Sequence, residues 1–189
     1  AYNRLSIWKA TTRKGCDMKK LFVVSALALA VAGCSSEYDF DKDKVQTQWS
    51  SEARADIYRD KDGEPITGTV VKRLGDKLLL SVQVKDGLVN GEYKQWNAEG
   101  GLKQELNFVD GKRVGQQKVY CPDGKALKED RTYSADGVGT GKIFDCASGF
   151  VVYEGTVDRA MKPLGVEKRW QVLGDKQVPL SVIFYSDSK

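Results

Sequence analysis

The chain has 189 residues, with 30 Lys and Arg, 26 Asp and Glu and no histidine. That size suits one domain, and the composition excludes any imidazole general base, catalytic triad or histidine metal ligand. Residues 1–34 hold six basic groups against one acid, so the remainder carries 24 basic against 25 acidic residues. Displacing phosphate counterions takes a surplus of Lys and Arg, so a near-neutral chain without a basic run is not expected to bind nucleic acid.

Residues 1–17 show no periodicity and are read as an upstream leader or start-site artefact. From Met18 the chain runs Lys19, Lys20, then twelve apolar or small residues from Leu21 to Ala32, then Gly33, Cys34, Ser35 and Ser36. Two lysines, a short apolar run and a pair of small residues make a secretory signal over residues 18–33. A membrane span would need about 20 apolar residues. Val31-Ala32-Gly33-Cys34 resembles a bacterial lipobox. In that family the bond between Gly33 and Cys34 is cut and Cys34 is lipidated, which two or more acyl chains make a stable anchor at about 0.8 kcal/mol per buried CH₂. Ser35, in place of the aspartate that retains such proteins in the inner membrane of Gram-negative bacteria, implies the outer membrane. Residues 34–52 are rich in Ser, Asp, Lys and Gln and are expected to form the lipidated N-terminus and a flexible tether. Trp49 or Tyr38 capping the domain is the alternative.

Residues 53–189 are expected to fold as one all-β repeat domain. Gly91, Trp96 and Gly100 recur as Gly115, Tyr120 and Gly124, and again as Gly165, Trp170 and Gly174: a glycine, an aromatic five later and a glycine nine later. Weaker copies begin at Gly68, reaching Gly75 by way of Arg73, and at Gly141, where Cys146 replaces the aromatic and Gly149 closes the unit. Five units of about 24 residues result. After each second glycine comes alternating apolar placement, as in Leu78, Leu80, Val82 and Val84, which puts one strand face inward. Asp86-Gly87, Asp110-Gly111 and Asp136-Gly137 are hairpin signals. The expected fold is a repetitive antiparallel β-hairpin meander of about ten strands.

The strings from Asp62 to Val71, Asn90 to Tyr93, Asp110 to Gly115 and Tyr120 to Leu127 resemble the MORN-like variant repeats of many bacterial secreted and lipid-anchored proteins, some of them antitoxins of the YwqK type. The resemblance covers roughly residues 57–185. It implies a β-repeat scaffold whose partners vary, and it brings no catalytic residue.

Cys121 and Cys146 are the thiols left for the domain, and an even pair in an oxidising compartment argues for a disulfide. Geometry argues against one. Near-equivalent places in consecutive units of a regular meander lie two strand spacings apart, about 9.6 Å, whereas bridged Cα atoms lie within about 7 Å. Two buried reduced thiols are the alternative. Trp96, Tyr120 and Trp170 recur at one repeat position, either as a ligand-contact row for a glycan or peptide or as the core of the stack. Nothing positions carboxylate pairs such as Glu129 with Asp130, or Asp158 near Glu154, for acid–base work. Asp39, Asp41 and Asp43 lack the glycine and the closing glutamate of a calcium loop. No catalytic residue, metal or cofactor is therefore expected. The sequence points to a lipid-anchored, non-enzymatic binding or scaffold module, with a membrane contact through its anchor and a protein partner in the envelope. An immunity or antitoxin lipoprotein is the alternative that the resemblance implies; a carbohydrate-binding module is a further one.

Overall fold

The computed structural model describes residues 36–186, and every regular element among them is a strand. The expected signal at 18–33, the cleavage and lipidation at Gly33 and Cys34, and the leader at 1–17 lie outside the described residues. The strands are β1 (Glu37–Asp39), β2 (Gln46–Ser50), β3 (Ala55–Arg59), β4 (Gly68–Leu74), β5 (Lys77–Lys85), β6 (Leu88–Trp96), β7 (Leu102–Val109), β8 (Lys112–Arg113), β9 (Gly115–Tyr120), β10 (Leu127–Tyr133), β11 (Gly139–Phe144), β12 (Val151–Val157), β13 (Pro163–Leu173) and β14 (Lys176–Tyr185). One sheet runs β1-β4-β5-β6-β7-β9-β10-β11-β12-β13-β14, with β8 paired to β7, while β2 and β3 form a separate ribbon. All pairings are antiparallel except β1 with β4. The antiparallel meander of ten strands from β4 onward is as expected; β1, β2, β3 and the two-residue β8 bring the count to fourteen.

Over the part that is described, residues 36–52, the extra strands correct the reading of residues 34–52 as a tether. From Glu37 to Asp39 the chain pairs with Thr69 to Val71, and Gln46 to Ser50 pairs with Ala55 to Arg59. Val45 and Tyr58 are buried with Ile66, Val70, Val82 and Val84, and Tyr38 and Phe40 pack against them. Fully burying such a side chain is worth about 1.5–3 kcal/mol, which offsets the ordering of a polar segment. Tyr38 thus helps cap the domain, whereas Trp49 stays exposed. The carboxylates considered for calcium serve the chain turn instead. Asp39 accepts from the backbone N–H of Lys42 and Asp41, and these bonds, the one from Lys42 foremost, hold it below the usual carboxylate range.

Turn chemistry sets the register. Asp86 and Gly87 have φ of 50° and 83°, and Asp110 and Gly111 of 47° and 74°, the pair of left-handed residues that a two-residue hairpin with native twist requires. At the other end of the sheet the five second glycines, 75, 100, 124, 149 and 174, all have φ between 59° and 91°. Register also corrects the fourth unit. Tyr133 pairs with Gly115 on one side and with Gly139 on the other, so the unit begins at Gly139, not Gly141, and its aromatic five residues on is Phe144.

Each hairpin is tied to its neighbour beyond the ladder bonds. Lys77 Nζ donates to the Ala98 carbonyl (2.7 Å), Asn97 Nδ2 to that of Pro122 (3.3 Å) and Gln177 Nε2 to that of Val151 (2.6 Å). At the opposite end Asn90 Nδ2 donates to Asp110 Oδ1 (2.7 Å) and Arg159 to the Ala135 carbonyl (3.0 Å). A one-residue slip recurs in all five hairpins, leaving Leu79, Lys103, Lys128, Val152 and Leu180 without a partner of their own. Such bulges bend a strand and increase its twist.

One face of the sheet carries the core. Val70, Val82, Tyr93 and Leu106 pair in line across β4 to β7; then the row turns polar, with Arg131 between Gln117 and Gly141 and Gly141 beside Gly155. Arg131 is 2% exposed, donates through Nε to Glu129 Oε1 at 2.8 Å and lies 5.9 Å from the centre of the Tyr153 ring. A Cβ on Gly141 would come within 2.7 Å of the Arg131 Cβ. The glycine is where the arginine needs room. Glu167, equally buried, accepts from Arg169 and from the Tyr185 hydroxyl, as a buried charge must.

Gly124 and Gly174 give a paired test of the turns, since both are left-handed but only one is crowded. A Cβ on Gly174 meets nothing within 4 Å, whereas on Gly124 it would lie 2.3 Å from the Gly101 Cα. Gly174→Ala is expected to cost about 1–2 kcal/mol of backbone strain, and Gly124→Ala roughly 1–3 kcal/mol more from overpacking. The difference is read from urea-unfolding midpoints.

Candidate functional site

The face opposite the core carries a lateral row of charges. In register across the sheet stand Ser81, Lys94, Glu105, Lys118, Asp130, Lys142, Glu154, Lys168 and Val182. From Lys94 to Lys168 the sign alternates at every strand. Lys94 Nζ lies 3.8 Å from Glu105 Oε1 and Lys142 Nζ 3.7 Å from Glu154 Oε2. Directly opposed opposite charges contribute about 0.2–1 kcal/mol each, less where solvent screens them. All seven groups are half-buried or exposed.

Each lysine of the row stands three residues after the first glycine of its unit, and each is followed two residues later by an aromatic: Trp96, Tyr120, Phe144 and Trp170. Two residues along a strand is one side-chain repeat, so lysine and aromatic share a face. The three aromatics named from the sequence are half-buried, intermediate between a free ligand platform and a packed core. Among the described residues no ring-to-ring contact joins the four; Tyr93 and Phe108, 6.2 Å apart, meet elsewhere. The Tyr120 hydroxyl donates to Glu105 Oε2 at 2.7 Å, which ties the aromatic row to the charged one. Desolvation, with that bond next, pushes the Tyr120 phenol up to about 12. Alternate strands place successive lysine–aromatic pairs about 9.6 Å apart.

Phe144 and the lysines are the members that sequence reasoning missed. The signal was present in Lys94, Lys118 and Lys168 at a fixed offset from their glycines. Starting the fourth unit at Gly141 put Lys142 and Phe144 out of line and Cys146 in the aromatic place. The carboxylates once weighed as catalytic pairs are separated by this geometry. Asp130 belongs to the charge row, whereas Glu129 pairs with Arg131 on the core side. Among the described residues no cluster of three or more carboxylate, cysteine or histidine groups could hold a metal ion.

Cys121 and Cys146 are bridged, with Cα atoms 5.7 Å apart. The spacing argument fails because neither cysteine lies in the ladder. Cys121 follows the last residue of β9 and Cys146 sits in the turn after β11, where the Asp145 carboxylate accepts from Ala147 and Ser148. Both cysteines lie beyond the last ladder pairs of β10 with its neighbours, where strand spacing does not fix the separation of their Cα atoms.

Two outcomes test these features. Lys118→Glu would set an acid between Glu105 and Asp130 and is expected to cost roughly 1–2 kcal/mol, a loss that shrinks in 1 M salt when followed by urea unfolding. Reduction, or Cys121→Ser with Cys146→Ser, is expected to cost about 3.5 kcal/mol for a 25-residue separation in the chain-entropy picture, measured in the same way against the oxidised chain.

Comparison with known proteins finds no matching family model, no similar curated protein and no similar solved structure.

Proposed function

We propose that this chain is a lipid-anchored, non-enzymatic β-repeat module of the bacterial outer membrane that binds an envelope component along the charged and aromatic face of its sheet. The anchor rests on the lipobox-like Val31 to Cys34 and on Ser35 after it. The binding role is supported above all by one observation: four lysine–aromatic pairs recur on one face at the repeat spacing. An array of cations beside half-buried rings offers an extended partner the same contact at each step, through cation–π and apolar contact together. Lys118 and Lys142, with acids on both flanks, and Lys94 and Lys168, with an acid on one, suit a partner of mixed polarity, such as an extended peptide, better than a polyanion.

The test is capture of partners from crosslinked cells by the full anchored chain and by a variant carrying Trp96→Ala and Phe144→Ala. A protein captured by the first and lost with the second, at unchanged far-UV circular dichroism, is the expected result. Capture unaffected by the substitutions would overturn the choice of face. Binding of both chains only to glycans would favour a carbohydrate module. Cys34→Ala is expected to move the protein from the membrane to the soluble fraction, and an unchanged membrane fraction would remove the anchor.

A further inference from the structure

The two edges of the large sheet differ. At one end β1 is three residues long, and its acids Glu37 and Asp39 are paired with Arg73 at 3.1 and 3.8 Å. Shortness and charge are what protects an edge from pairing with another chain. At the other end β14 has ten residues and no outer partner among those described, and from Gln177 to Tyr185 it carries no charge. Leu180, Val182 and Phe184 are 62%, 55% and 77% exposed, and Val166, paired with Phe184, widens the apolar strip.

The charge row adds a second observation. Its alternation calls for an acid opposite Lys168, yet that place is held by Val182. We propose that β14 pairs with the same strand of a second copy, antiparallel about a two-fold axis at Val182, joining the two sheets into one. Only residues of equal parity can meet across such an axis without exchanging faces. Centred on Val182, the pairing sets Leu180 against Phe184 of the other copy, and Val182 against itself. An acid on the axis would face its own charge and destabilise the contact, whereas valine is compatible with itself. The two Lys168 groups would then stand three strand spacings apart, about 14 Å, beyond the screening length of roughly 8 Å at physiological salt. Pro179, which cannot donate to a ladder, falls toward the end of the paired stretch, where its cost is smallest.

Area sets the expected strength. Centred on Val182, the seven residues from Pro179 to Tyr185 at about 3.4 Å make a strip of about 24 Å, and a sheet about 10 Å thick gives roughly 240 Å² per copy. Stable interfaces bury about 800 Å² per partner. The dimer is therefore weak, in the range where confinement on a surface raises its occupancy.

Val182→Cys tests the register directly in the purified full chain. A residue on the axis opposes its own copy with Cα atoms about 4.5–5.5 Å apart, within disulfide range, whereas Phe184→Cys sets the two thiols four residues apart along the strand. Mild oxidation is expected to give a covalent dimer with Val182→Cys and at least tenfold less with Phe184→Cys. Equal yields, or no dimer with either, would overturn the proposal. Val182→Glu completes the charge row opposite Lys168 and so is expected to fold at least as stably as the parent. Analytical ultracentrifugation should show its self-association weakened tenfold or more against the concentration-dependent mass of the parent. Unchanged self-association would also overturn the pairing. These readouts are independent of the partner proposed for the sheet face.

Discussion

Everything in this molecule depends on the lateral register at which each hairpin docks on the one before it. A one-residue shift would move every side chain of a strand to the opposite face, sending Lys118 into the row of Leu106 and Arg131. Hydrogen-bonded ladders alone specify register poorly in repeated, similar strands. Here it is fixed three times over: by the left-handed two-residue turns, by the recurring slip opposite each aromatic, and by side chains from one turn that donate to backbone of the next. The charge row is a further consequence, because alternation of sign penalises any slip that sets like charges side by side.

A lone sheet has two faces and one chain to cover them. The first four strands of the meander solve this with valine, leucine and tyrosine beneath the ordered segment from Glu37 to Ile66. Beyond Leu106 that segment supplies no cover, and the inner row changes to glutamine, arginine, glycine and glutamate. The side chains there close over one another: Arg131 lies against Tyr153, and Tyr185 reaches Glu167. Glycine at 141 and 155 makes room for them. One end of the domain thus buries an apolar cluster, whereas the inner row of the other is built round paired charges, with Tyr133 and Val157 buried on the same strands or the next.

How much of this could be read from residues alone follows from which features are local. The glycine spacing and the Asp-Gly turns are local: a positive φ leaves a mark at one or two positions, and the meander followed from them. The covering segment was not legible, because its polar residues outnumber the few that are buried, and Tyr38, Phe40 and Val45 acquire a face only once Val70 and Val82 are beneath them. The fourth unit was misplaced because Gly139 and Gly141 are both glycines, the first answering the repeat and the second answering Arg131. The bulges and the charge row are properties of pairs of strands. They appear in no single stretch of chain, which is why Lys142, Phe144 and the acids between the lysines were passed over.

A chain folded strand beside strand can be peeled in the order in which it was laid down, each hairpin leaving without disturbing those further along. The bridge between Cys121 and Cys146 interrupts that unzipping. It withholds the 25-residue loop, about 85 Å of contour at full extension, so a pull on the C-terminal end can spool out β14, β13 and β12 and then meets a length that tension cannot release. The stretch it encloses, with β10 and β11, would persist as a loop of fixed size until a reductant reached it.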